Sequence, residues 1–270
     1  MDFFEILLRV FCGGVVGFFI GLTGVGGGVI LMPVLTVVLG LPATVTVGTA
    51  SFYSVLTKIY ASVEHFRLKT VNLSASFLFL FGAIPGDLAT SILINRYILL
   101  HADSSQKIEQ FQGYLKLLIV IVMLFSAALV MFNAVSREKI KSGKTPFLRK
   151  ILGIVLGIIV GCLLGATSIG GGVLIIPLLI IFFGLTLKET VGSSIFVALV
   201  LTLLTSVVYG KDGQLDFKTG IIMWLGSLGG VFVGSKLCVK ISDRILKIIV
   251  ILIILISAVT MVTTNNISGH

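Results

Sequence analysis

The sequence predicts an all-α polytopic integral membrane protein built of two inverted repeats. Three observations carry that expectation: an apolar composition, a self-similarity between the two halves, and an alternation of basic and neutral loops. Of the 270 residues 57% are hydrophobic and 11% charged, with a mean hydropathy of +1.17, whereas a soluble domain holds about a quarter charged residues. Windows such as 114–132 ("YLKLLIVIVMLFSAALVMF") and 245–262 ("ILKIIVILIILISAVTMV") approach the roughly 20 residues that cross hydrocarbon. The opening "MDFFEILLRVFCGG" carries acids where a cleaved leader has a basic segment, so it is expected to be retained structure.

An offset of 144 residues, which lays Gly17 on Gly161, aligns "GFFIGLTGVGGGVILMPVLTVVLGLPATVTVG" with "GCLLGATSIGGGVLIIPLLIIFFGLTLKETVG" with fourteen of thirty-two positions identical. The same offset pairs 71–73 with 215–217, and Gly82 and Gly86 with Gly226 and Gly230. Later the register slips by thirteen, which places an insertion near 98–110 of the first half. The repeats are expected at 1–135 and 148–270, joined by a basic linker at 136–147.

In chain order, the first repeat reads as an apolar run at 4–22, a glycine break at 23–28, a short run at 29–40, then runs near 44–64, 71–95 and 111–133. The second reads as 148–166, a break at 167–172, then 173–184, 190–209, 217–240 and 244–262. The twelve residues of 29–40 rise only about 18 Å, short of the roughly 30 Å core, so each repeat opens with a broken helix pair, either crossing or re-entrant. Three spanning helices follow. Whichever way the pair runs, the number of remaining crossings is odd, and the repeats face opposite ways through the bilayer, the plan of many secondary transporters.

Charge location agrees with this topology. The segment 136–150 carries six basic residues and one acid, and the clusters 65–70 and 236–247 are also basic, whereas 40–47 is uncharged and 96–110 and 211–218 are balanced. By the positive-inside rule the three basic loops are cytoplasmic and both termini lie on the opposite side of the cell membrane. The net charge of +9 is thus a topology signal, not a nucleic-acid footprint. Cys12, Cys162 and Cys238 have neither a disulfide pattern nor metal-ligand spacing and read as small buried hydrophobes.

Glycine triplets in a membrane helix free backbone N–H groups, which cost several kcal/mol each unless they meet a ligand or line a cavity. The helices that follow the breaks aim amides at whatever occupies them, which suits a small anion at mid-depth. The candidate binding residues are therefore Thr23, Gly24, Gly26, Gly27 and Gly28 in the first break and Thr167, Ser168, Gly170, Gly171 and Gly172 in the second. Thr49 and Ser51, with Ser193 and Ser194 just past the short helices, complete the lining. The isolated Gly48, Gly82, Gly86, Gly192, Gly226 and Gly230 read as helix contacts. On that basis Gly226→Ala is expected to be mild. Pro33 and Pro177, fifth after each triplet, are expected to kink the short helices.

The twin motifs "GVGGGVILMP" (24–33) and "SIGGGVLIIP" (168–177), each followed by a "VGT" or "VGS" step at 47–49 and 191–193, resemble the TauE/SafE sulfite exporter family of membrane permeases over nearly the whole chain. The resemblance implies export of a small sulfur-containing anion, such as sulfite or an organosulfonate, across the bacterial cytoplasmic membrane without ATP hydrolysis or a cofactor. Ser168 departs from the motif's first glycine, and Asp87 in "IPGDLAT" is an acid where a small or apolar residue is expected.

Intramembrane charges are functional candidates. Lys58 either attracts an anion or snorkels to the interface, and Asp87 is a candidate for proton coupling; a direct pair between them is not expected. An enzyme is not expected. "GVGGGV" has no strand or ribose-binding acid beside it, no Walker motif occurs, and His65, His101 and His270 read as loop or tail residues, too scattered for a metal site or a catalytic dyad. The alternative to a secondary transporter is a passive anion channel or a non-catalytic membrane subunit.

Overall fold

A computed structural model of the chain describes residues 3–24, 27–101, 146–167, 174–211 and 215–265, together with Gly213 and scattered positions between 107 and 128. Every regular element among them is helical. The order is α1 (Phe3–Thr23), α2 (Gly27–Pro33) running on into a π-helical turn (Val34–Val38), α3 (Ala43–Arg67) and α4 (Leu73–Leu100). Next come α5 (Pro146–Thr167), α6 (Ile175–Phe183), α7 (Leu187–Lys211), α8 (Phe217–Lys240) and α9 (Asp243–Asn265). The expected linker at 136–147 falls almost wholly outside the described residues, as do most of the 111–133 run and of the insertion near 98–110.

Among the described residues four helices are long and apolar enough to cross a membrane: Phe3–Thr23, Leu73–Tyr97, Leu187–Lys211 and Phe217–Lys240. Their outward faces carry large apolar side chains such as Phe4, Phe11, Phe77, Phe81, Leu93, Leu203 and Leu225, which water would penalise and lipid accepts. The protein is thus an all-α, multi-pass membrane protein. The 25-residue α3 is as long as α7 but buries Thr46, Thr49, Ser51, Ser54, Thr57, Lys58, Ser62 and His65, and so needs protein on the side that faces away from lipid.

Two glycine seams hold the bundle together. Gly13, Gly17 and Gly21 of α1 lie against Met223, Ser227 and Val231 of α8, so closely that a Cβ there would run into backbone atoms. Gly157, Gly161 and Gly165 of α5 lie in the same way against Phe79, Ala83 and Asp87 of α4. The return contacts also correspond: Gly226 and Gly230 meet Val10 and Gly14, and Gly82 and Gly86 meet Ile154 and Ile158. Each pair becomes its counterpart when the 144-residue offset is added to one partner and subtracted from the other. Numbers rise together along both seams, so each pair of helices is parallel. Backbone contact at this range is available only to small residues and is a major source of cohesion where lipid removes the hydrophobic drive between helices. The packing role expected of Gly82, Gly86, Gly226 and Gly230 holds. The mild outcome expected of Gly226→Ala does not, because its Cβ would meet the carbonyl of Val10.

At the centre α3 and α7 run antiparallel. The chain just past α3 reaches the start of α7, where the amide of Asn72 donates to Ser193 Oγ at 2.8 Å. The chain just past α7 reaches the start of α3, where the amide of Asp216 donates to Thr49 Oγ1 at 2.9 Å. Asn72 and Asp216 in turn cap α4 and α8, accepting from the amides of Ala75 at 3.1 Å and Thr219 at 3.0 Å, the interaction that makes Asn and Asp good N-caps.

The short helices depart from expectation at their starts. α2 begins at Gly27, not after the triplet, because a first helical turn has no intrahelical partner for its N–H groups and tolerates glycine there. Pro33 ends α2 and hands over to the π-helical turn, in which Leu39 N donates to Val34 O at 3.0 Å; a ring without an N–H cannot continue the regular ladder. Pro177 sits in the first turn of α6, where proline is tolerated. Both short helices end at glycines of positive φ, Gly40 at 64° and Gly184 at 66°, a backbone that a Cβ disfavours.

Candidate functional site

The α1–α2 break begins where Gly24 turns to φ 65° and its amide closes the last turn of α1 on Ile20 O at 3.0 Å. Thr23 is fully buried and its hydroxyl donates to Phe19 O at 2.7 Å, as hydroxyls commonly do at a helix end. Two side chains from elsewhere hold the break. Ser194 Oγ of α7 donates to Val191 O at 2.9 Å and lies 3.4 Å from Gly24 O. His65 of α3 brings Nε2 to 2.9 Å from Gly21 O and Nδ1 to 2.8 Å from Thr70 Oγ1. A carbonyl only accepts, so Nε2 carries the proton; Thr70 Oγ1, on the Nδ1 side of the ring, also donates to the backbone carbonyl of His65 at 3.1 Å.

His65 is therefore neither in a loop nor exposed: it lies in the last turn of α3 and is fully buried. Its position also locates the break. Gly21 O meets His65 in the last turn of α3, roughly 15 Å along the axis from that helix's centre at 1.5 Å per residue, and Gly24 lies against Val191 and Ser194 of α7. At the opposite end of the α3–α7 pair the equivalent carbonyl, Gly165 O of α5, accepts from Ser91 Oγ at 3.3 Å and Tyr209 OH at 3.5 Å. Tyr209 occupies the position related to His65 by the repeat.

The remaining candidates divide into three groups. Gly27 and Gly28 lie in the first turn of α2 and Thr167 is the last residue of α5, while Gly26, Ser168, Gly170, Gly171 and Gly172 lie outside the described residues. Thr49 and Ser193 are fully buried and are used as acceptors by the capping loops. Ser51 of α3 and Ser194 of α7 are fully buried.

Of the two charged candidates, Asp87 is fully buried in α4 and accepts from Thr205 Oγ1 at 3.0 Å through Oδ1, while Oδ2 has no hydrogen-bond partner. Lys58 is 1% exposed, so it does not snorkel. The ion pairs among the described residues join Arg9 to Glu5 and Arg67 to Glu64; none reaches Lys58 or Asp87.

One feature escaped the sequence-level expectations. Ser51, Ser54, Lys58, Ser62 and His65 recur at spacings of three and four, which places them on one face of α3, and every one is buried. The spacing is visible in the sequence, but serines in a membrane helix are as readily packing residues as lining residues, so it is the burial of Ser54 and Ser62 without hydrogen-bond partners that sets this face apart.

A multi-pass bundle of paired repeats, with a helix broken inside the protein and a charged side chain buried in each of α3 and α4, has the architecture of a membrane transporter. The family model described as "Sulfite exporter TauE/SafE" matches residues 9–261, and the chain belongs to that family. It is 30% identical over 243 residues to "Probable membrane transporter protein YjnA" of Bacillus subtilis (strain 168), covering 89% of this chain and 93% of that one. It is 24% identical to "Probable membrane transporter protein YunE" of the same organism, over 93% of this chain and 95% of that one. A "Probable membrane transporter protein" of Haemophilus influenzae is 22% identical over 92% of this chain and 91% of its own. No solved structure matches.

Proposed function

We propose that the protein is a secondary transporter that exports a small sulfur-containing anion, such as sulfite or an organosulfonate, by alternating access, with the anion bound between the two glycine-rich breaks. The observation that carries this reading is the buried break at Gly24, tied to α7 through Ser194 and flanked by the tie of Gly21 to His65 of α3. Irregular backbone at membrane depth persists only where protein or a wet cavity satisfies it, and discontinuous helices of this kind frame the sites of transporters. The antiparallel α3 and α7 support repeats of opposite orientation. The basic loops 65–70, 136–150 and 236–247 support a cytoplasmic side for those ends, with both termini across the cell membrane. Protons are the candidate coupling ion, with Asp87 as their candidate carrier.

The test is sulfite flux into proteoliposomes containing the purified chain, with and without a pH gradient, beside a Gly27→Leu variant. Saturable flux that the variant loses while remaining monodisperse is the expected result, and a response to the gradient identifies proton coupling. Flux that rises without saturation would replace the transporter by a channel. No flux of either sulfite or sulfoacetate above empty liposomes would overturn the anion assignment.

A further inference from the structure

We propose that the anion is held on α3 by Lys58 together with the hydroxyls of Ser54 and Ser62, a site lying between the two breaks and distinct from the glycine backbone of either. This inference rests on the anion-transport reading and names the groups that would recognise the substrate.

Lys58 Nζ offers up to three hydrogen-bond donors and a positive charge, yet no carboxylate lies within ion-pair distance of it among the described residues. Ser54 Oγ and Ser62 Oγ, one helical turn before and after it on the same face, are buried and have no hydrogen-bond partner. Buried serines in helices commonly bond the carbonyl four residues back; these two do not. A buried cation without a counterion is costly, and buried hydroxyls without partners add to that cost. One cation and two free donors, with no carboxylate among them, form a set that a small oxyanion completes and that a metal cation does not. The repeat-related turn of α7 has no such set. Thr202, which replaces Lys58, bonds Ala198 O at 2.7 Å, and Ala198 itself replaces Ser54. The stripe leads from Ser54 through Lys58 and Ser62 to His65, whose ring reaches Gly21 beside the break, so the site is continuous with the broken end of α1.

The experiment measures sulfite flux in proteoliposomes and the sulfite-dependent shift in melting temperature of the detergent-solubilised full chain, for wild type, Lys58→Met, Lys58→Arg and Ser54→Ala/Ser62→Ala. Lys58→Met should raise KM at least ~30-fold or abolish flux, and should abolish the sulfite shift, since hydrogen bonds to charged groups are among the stronger ones. Without sulfite it should melt no lower than wild type, because an apolar replacement of an unpaired buried charge is not destabilising; a purely structural lysine would give the opposite. Lys58→Arg should keep KM within about fivefold and retain the shift. Ser54→Ala/Ser62→Ala should raise KM about tenfold, and it decides the matter if Lys58→Met does not fold. A Lys58→Met protein, or in its place the serine double variant, with wild-type KM and an intact sulfite shift would overturn the site while leaving the transport reading intact. A wild type with no saturable flux and no shift with either sulfite or sulfoacetate would overturn both.

Discussion

At equivalent positions the first repeat places Lys58 and Asp87 where the second places Thr202 and Val231, although the glycine seams on either side correspond contact for contact. His65 and Tyr209 share a middle course: the residue types differ, but each reaches the carbonyl of an equivalent glycine, Gly21 or Gly165. The difference teaches which features the architecture requires twice. Helices whose backbones touch leave no room for a side chain, so both seams need glycine at the same points. A buried cation or carboxylate is not needed to pack helices and costs free energy, so a single copy of each marks chemistry more than framework.

The largest effect should come from breaking that equivalence at a seam. Gly226→Val and its counterpart Gly82→Val both push a branched side chain into a facing backbone, of Val10 or Ile154. Each is expected to cost ~3 kcal/mol or more and to leave little monodisperse protein after detergent extraction. A tolerated Gly82→Val beside a lost Gly226→Val, measured by size-exclusion yield and melting temperature, would show that the two seams are not energetically equivalent.

An intermediate effect is expected where the seams give way to loops. Thr49→Ala and Ser193→Ala each remove the acceptor of one amide, that of Asp216 or Asn72. Each should destabilise the chain by about 1 kcal/mol and lower its melting temperature by a few degrees, to nearly the same extent. If Thr49 and Ser193 contact the anion as well, flux will fall by more than the stability loss explains, and the comparison then separates capping from binding.

Much of this arrangement was legible in the residues. The apolar runs at 44–64 and 190–209 anticipate α3 (Ala43–Arg67) and α7 (Leu187–Lys211) to within three residues at each end, because a helix that must cross lipid has an apolar length that composition reveals. One side of each glycine seam, Gly82 and Gly86 or Gly226 and Gly230, was legible as packing because isolated glycines in apolar helices have few other uses. The tie of His65 to Gly21 and of Tyr209 to Gly165 was not, since it joins side chains to carbonyls 44 positions away in each repeat, and no local pattern encodes which helices meet. The neighbours of the break were not legible for the same reason: sequence marks where a helix stops but not which turn of a neighbour it stops beside.

The smallest effect separates the two caps. Asp216 and Asn72 occupy equivalent positions and cap equivalent helices, but only Asp216 titrates. Partial burial raises the Asp216 carboxyl, but hydrogen bonds from the Thr219 and Lys218 amides, with the Arg9 guanidinium nearby, outweigh it and hold the group below its ordinary value of 3.8. A depressed folded value means that the ionised carboxylate contributes stability in full above that ordinary value, and that this contribution fades as the pH falls below it through the lower folded value. Asp216→Asn should therefore melt slightly below wild type at neutral pH, because an amide oxygen still caps α8 as Asn72 caps α4 but without the charge. The two melting curves should converge as the pH is lowered from 5 toward about 3. Asn72→Asp should show the reverse, gaining a pH dependence that the first repeat lacks, provided its carboxylate is ionised there. Parallel curves for wild type and Asp216→Asn over that range would mean that the charge adds nothing to the cap, and that the two repeats are equivalent at these loops as well as along their seams.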